Sequence, residues 1–135
     1  MIRTNSILVT KYILKILEEN KSIVKFFNDR IFPIDANFGT KYPFVAIVRT
    51  GMMPASTKDG LYEDRVYFSA VISGDTYKSS LEGANLVRSV LDHTYYIDSE
   101  IAIKSIILDN STETWIDGKF YQELMFTATV QLPQI

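Results

Sequence analysis

The stretch Lys119–Leu132 constrains this chain more than any other. Phe120, Gln122, Leu124, Phe126, Ala128, Val130 and Leu132 take alternate positions, with Tyr121, Glu123, Met125, Thr127, Thr129 and Gln131 between them. One set is apolar and the other mostly polar, which is the signature of a long half-buried β-strand, because successive strand side chains point to opposite faces. Asp117-Gly118, just before it, suits the positive φ angles of a tight hairpin turn. A strand this long is costly to leave as an open edge. With little catalytic chemistry around it, the chain reads as a scaffold or assembly protein first and an enzyme second.

The remaining elements follow from similar periodicities. Ser6 is placed to cap a first helix over about residues 7–19. Lys11, Lys15, Glu18 and Glu19 make only a narrow polar stripe on it, and Ile7, Val9, Tyr12, Ile13, Leu14, Ile16 and Leu17 spread round the rest. A surface helix needs one apolar stripe. The extra girth predicts two partners: the chain's own sheet, and either Phe26 with Phe27 or a neighbouring subunit. Val9, Tyr12 and Ile16 are therefore candidate subunit contacts. Ser22 heads a short turn holding Ile23, Val24, Phe26 and Phe27. Arg30–Ile34 is a short strand that Pro33 pushes to an edge. Asp35–Tyr42 is a loop, and Phe44–Thr50 an apolar central strand. Val66, Phe68, Ala70 and Ile72 alternate with polar and small residues in a third strand.

A second helix spans Thr76–His93, with Ser79 and Glu82 spaced as a capping box. Leu81, Ala84, Val87 and Leu91 form its buried face. Ile101–Leu108 is a fourth strand, broken at 109–112, and Thr114–Ile116 pairs across Asp117-Gly118 with the last strand. The expected fold is α+β in the order α-β-β-β-α-β-β: an antiparallel sheet of four to six strands with two main helices packed on one face, in a single domain over 1–135.

Composition narrows the chemistry. With no cysteine and one histidine, thiolate metal sites, disulfides and cysteine nucleophiles are absent, and zinc would lack its usual ligand set. His93 falls at a helix end, where an imidazole meets the last carbonyls rather than a serine nucleophile. The carboxylates Glu63, Asp64, Asp98, Glu100, Asp109, Glu113 and Asp117 sit at turns and strand ends without a spacing that singles out a catalytic pair. Asp109–Glu113 lacks the alternating ligands and mid-loop glycine of a calcium loop. A net charge of −2 carries no basic footprint for nucleic acid. The second helix sets Lys78 and Arg88 among acids, unlike a double-stranded-RNA binder. No apolar run approaches the ~20 residues of a membrane span. No catalytic, metal-binding or cofactor-binding residue is expected.

The segment Gly51–Glu63 reads as a long loop containing Gly51, Pro54 and Asp59-Gly60, and loops of this length inside a compact domain tend to be functional or disordered. Met52 and Met53 are adaptable contact residues. With Lys58, Asp59 and Tyr62 they complete the candidate contact set. The loop is expected to move in the free protein and to order on assembly.

Three strings carry a family resemblance: Asp29-Arg30-Ile31-Phe32-Pro33 after the first helix, Tyr42-Pro43-Phe44-Val45-Ala46-Ile47 opening the next strand, and Phe120-Tyr121 with Leu124-Met125-Phe126 in the closing strand. Over roughly residues 6–131 the chain resembles the tail-completion or tail-terminator proteins of long-tailed bacteriophages and prophages. It departs from them in its long second loop and in Tyr67-Phe68, where relatives favour a Trp-containing strand. The resemblance implies a ring, typically of six subunits, that caps the tail tube and offers a docking face to head connector proteins. It implies no catalytic residues, no cofactor and no membrane partner, with DNA at most passing through the ring. The setting it implies is the host bacterial cytoplasm during assembly and then the virion tail. The alternative is a small-ligand-binding or enzymatic α+β domain with a pocket between sheet and helices, tested at Asp98, Glu100 or His93.

Overall fold

A computed structural model describes residues 5–37, 39–55 and 62–132. A 3₁₀ turn at Ser6–Leu8 leads into helices α1 (Val9–Glu18) and α2 (Lys21–Phe27). Strands β1 (Ile31–Pro33), β2 (Phe44–Met53) and β3 (Glu63–Gly74) follow, then helix α3 (Tyr77–Leu91) and strands β4 (Thr94–Ile97), β5 (Ala102–Ile116) and β6 (Lys119–Gln131). One six-stranded sheet runs in the order β1-β2-β3-β6-β5-β4. All pairings are antiparallel except that of β1 with β2. The fold is α+β as expected, but the sheet is mixed and three helices cover it rather than two. Strand β4, which the sequence left unassigned, forms the second edge opposite β1.

The long last strand is not an edge. β6 lies between β3 and β5 and is paired along nearly its whole length on both sides. Its expected alternation holds: Gln122, Leu124, Phe126, Ala128 and Val130 are buried, and the residues between them are half-exposed. Phe68 of β3 and Phe126 of β6 stack across the sheet's centre, with ring centroids 5.2 Å apart and planes 13° from parallel. Asp117 and Gly118 both take positive φ (51° and 79°), as a primed hairpin turn needs. The break expected at 109–112 does not occur. A register shift between Leu108 and Asn110 absorbs Asp109 as a bulge, Asn110–Thr112 pair with β6, and β5 continues to Ile116.

Helix α1 buries Val9, Tyr12, Ile13 and Leu17 completely or nearly so, and Leu14 and Ile16 pack half-buried against the same core. Its second partner is the chain itself: α1 packs on β1 and β2 beneath it and touches α2 and α3 beside it. Ser6 does not cap α1. Its hydroxyl instead donates to the buried Asp64 Oδ2 at 2.6 Å, and Ala55 N donates to Asp64 Oδ1 at 2.7 Å. Helix α2 is capped by Asn20 through Ile23 N, not by Ser22, and α3 is capped by Thr76 through Ser79 N. The buried stripe of α3 is Ser80, Gly83, Ala84, Val87 and Leu91. Leu81 was expected in it but is exposed. Small residues at 80, 83 and 84 bring α3 close to the sheet and to α2, and that rotation turns Leu81 outward.

Candidate functional site

The polar groups that could do chemistry are taken up by structural bonds. A cleft of about 370 Å³ opens between Asn5, the turn at Asp98–Ala102 and the end of β6. Its two carboxylates are already committed. Asp98 accepts from Glu100 N (2.8 Å), Ile101 N (2.9 Å) and the Tyr96 hydroxyl (3.0 Å), which closes the turn between β4 and β5. The Ile101 and Glu100 amides hold this carboxyl below the ordinary aspartate range. Glu100 accepts from Lys11 Nζ and from the Tyr12 hydroxyl, tying that turn to α1. Lys15 donates to the Tyr96 hydroxyl at 3.0 Å and is held above its usual pKa mainly by that bond. These groups fasten α1 to the far edge of the sheet.

His93 is well away from this cleft, exposed at the end of α3 with φ 62°. Its amide donates to Ile106 O at 2.7 Å, and Asp92 Oδ1 accepts from Leu108 N at 2.9 Å, so the pair joins α3 to β5. Burial tends to raise the Asp92 pKa, but the Leu108 amide and Arg88 outweigh it and leave the carboxyl lowered. The three residues named for an enzymatic alternative are thus not one site. Among the described residues no three His, Cys, Asp or Glu side chains come together to hold a metal ion, and no helix is long and apolar enough to cross a membrane.

What the surface offers instead is unpaired strand edge and apolar side chains at two places. At one end of the sheet the 3₁₀ turn meets the end of β2. Arg49 Nη1 donates to Ile7 O at 3.4 Å, and the Asp64 bonds hold Ser6 and Ala55 to the start of β3. Ile7, Leu8, Met52 and Met53 are exposed here. β1 pairs with β2 only over Val45–Ile47, so Val48–Met53 has no strand on that side among the described residues.

At the opposite end, β4 pairs with β5 only over Ala102–Ile106, so Asp109–Ile116 is free on its outer side among the described residues. Trp115 and Ile116 are 64% and 54% exposed there. The inner side of this hairpin is held in place. Glu113 accepts from the Tyr77 hydroxyl (3.0 Å) and from Gln122 Nε2 (3.0 Å), and Gln122 also reaches Ser80 Oγ at 3.3 Å. The Glu113 bond is the main cause raising the Tyr77 pKa.

The eight contact residues chosen from the sequence divide accordingly. Met52 and Met53 are exposed, but in β2 rather than in a loop. Val9 and Tyr12 are buried in the chain's own core and present no surface to a partner, because α1 is closed in by sheet and helices. Ile16 is half-buried, and so is Tyr62. Lys58 and Asp59 lie outside the described residues, as does the middle, 56–61, of the segment expected to move and to order on assembly. Trp115, Ile116 and Ile7 were not singled out; hydropathy alone could have flagged Trp115-Ile116 beside a turn.

No family model matches the chain, and no curated protein matches its sequence. Its fold does have solved counterparts. One is a chain of the virion of a native gene transfer agent particle, with a TM-score of 0.70 at 11% identity over 88% of this chain and 91% of that one. Another, whose description states no function, has a TM-score of 0.62 at 12% identity over 98% of this chain and all of that one (100%). At these identities the likeness is one of fold. It extends over nearly the full length of both chains in each comparison.

Proposed function

We propose that this chain is a structural protein of a phage or phage-like particle, of the tail-terminator type. In this reading it forms a ring, of six copies by analogy with the family it resembles, that caps the tail tube and presents a joining face to head connector proteins. The observation that carries the reading is the near full-length fold likeness to a chain of a gene transfer agent virion. The surface supports it: the polar clusters are spent on fastening elements together, while free strand edge and exposed apolar side chains lie at both ends of the sheet. It is a reading without catalysis or cofactor, with assembly in the host bacterial cytoplasm and a final place in the virion tail. DNA passes the ring without sequence readout.

Light scattering across a concentration series, alone and with a phage tail-tube protein, tests it, with electron microscopy of the assembled fraction. Rings, alone or on tube ends, are expected. A monomer at every concentration and in every mixture overturns the reading.

A further inference from the structure

Which surfaces would join one copy to the next follows from the outline of the sheet. Its two edges are stepped in opposite senses. β1 covers β2 only at Val45–Ile47, leaving Val48–Met53 open toward one end. β4 covers β5 only at Ala102–Ile106, leaving Asp109–Ile116 open toward the other end. Among the described residues both open stretches carry rows of backbone N–H and C=O groups without a partner strand, which is the template for pairing with another chain. We infer that the open stretch of β5 in one copy pairs antiparallel with the open stretch of β2 in the next, so that one sheet continues from subunit to subunit. The inference rests on the reading of this chain as a self-assembling ring.

Shape, side chains and charge all favour this occupant. The contact is heterologous: two different patches on opposite edges meet, so each copy keeps one of each free, and repetition closes a ring if the rotation allows. The short strands do not obstruct it, because β1 sits above the docked stretch and β4 below it. Exposed apolar residues lie on both steps: Ile34, 74% exposed where β1 ends, and Met52 and Met53 on β2, against Trp115 and Ile116 on β5.

Faces match as well. Trp115 pairs with Phe120 and Glu113 with Gln122 on the helix side, and Arg49 and Met52 stand opposite the core residues Phe68 and Val66 on that same side. Trp115 would therefore cover Arg49 and, through it, the exposed Ile7–Leu8 turn. Charge is complementary: residues 105–118 contain Asp109, Glu113 and Asp117 with no base, whereas 44–53 contain Arg49 with no acid. Within one copy Thr114 stands level with Tyr121, Ser73 and Phe44. Setting it opposite Thr50 puts Trp115 opposite Arg49 and shifts successive copies by about six residues, roughly 20 Å along the strands, and such stagger is the shear a sheet needs to close. The bulge between Arg49 and Gly51 adds twist, which edges paired on only one side can follow.

The absence of cysteine makes the test clean. Thr50→Cys or Met53→Cys is combined in one chain with Asn110→Cys, Thr112→Cys or Thr114→Cys, and Thr50→Cys with Tyr95→Cys on the β4 edge is the control. All replaced side chains are exposed, so the variants keep the fold, which circular dichroism verifies. Mild oxidation at concentrations where scattering shows association should yield disulfide-linked ladders for at least one β2–β5 pair and none for the control. Associated chains that link at no β2–β5 pair, or link as readily through the control, overturn the edge pairing and leave the assembly reading standing. Chains that scatter as monomers up to the solubility limit, both alone and with a tail-tube protein, overturn both.

Discussion

At the scale of single residues, Gly83 and Asp98 carry the clearest consequences. A Cβ on Gly83 would lie 2.9 Å from Ile72 Cγ2, 3.0 Å from Phe26 Cε1 and 3.1 Å from Phe27 Cζ. All three belong to branched or ring groups held in or against the core. Gly83→Ala gains ~1 kcal/mol of helix propensity but meets overpacking of about 1–3 kcal/mol. Net destabilisation of ~1 kcal/mol is expected from urea unfolding, the reverse of a Gly-to-Ala change on an exposed helix. Asp98 has its pKa lowered by the Ile101 and Glu100 amides. Its contribution is therefore present above its unfolded pKa of about 3.9 and is lost as pH falls through the lower folded value. Asp98→Asn keeps an oxygen acceptor for both amides but cannot titrate. Between about pH 5 and pH 2, the unfolding midpoint of the variant should fall less steeply than that of the parent chain; identical slopes would remove Asp98 from the acid response.

At the scale of elements, the β5–β6 hairpin and the β3–β6 pair should behave differently. The hairpin tip is solvent-exposed along β5 and half-buried along β6, and its turn needs positive φ at Gly118. Gly118→Val strains that turn by roughly 1 kcal/mol or more. Amide exchange should quicken around residues 114–121 while the global melting temperature drops by no more than a few degrees, because little of the core lies there. The stacked Phe68 and Phe126 are the reverse case, 0% and 1% exposed at the centre of the sheet. Phe126→Ala should cost about 3–5 kcal/mol, a large share of the ~5–15 kcal/mol that holds a typical domain together. Thermal unfolding is expected to show a marginal protein or none that folds.

For the whole molecule, assembly and stability are one equilibrium. If copies associate through folded edges, each tenfold rise in protein concentration stabilises an assembled subunit by up to ~1.4 kcal/mol. The melting temperature should then climb by about 3–6 °C per decade for a domain of this size. A melting temperature independent of concentration over two decades would contradict association through folded surfaces. The two edges are blunted unequally: β1 and β4 are short, as edges of natural sheets often are, yet each leaves a longer neighbour open.

The local patterns in the chain were enough to determine most elements. The alternation of β6, the Asp117-Gly118 turn, the apolar run of β2 and the confinement of Pro33 to an edge strand all depend on neighbours in sequence, and all are present in the structure. So is the α+β class. Order within the sheet is a long-range property that no local period encodes: the β6 pattern is the same for an edge and a centre, and only tertiary pairing put β3 and β5 on its two flanks. The same holds for α1, whose apolar girth was compatible with a neighbouring subunit as well as with Phe26 and Phe27; in the structure α2, which carries those two residues, packs beside it together with α3. The steps at the sheet's edges arise from how far β1 and β4 reach along their neighbours. That reach is decided by packing against the helix layer and by bulges that shift register, not by the propensities of the residues left uncovered.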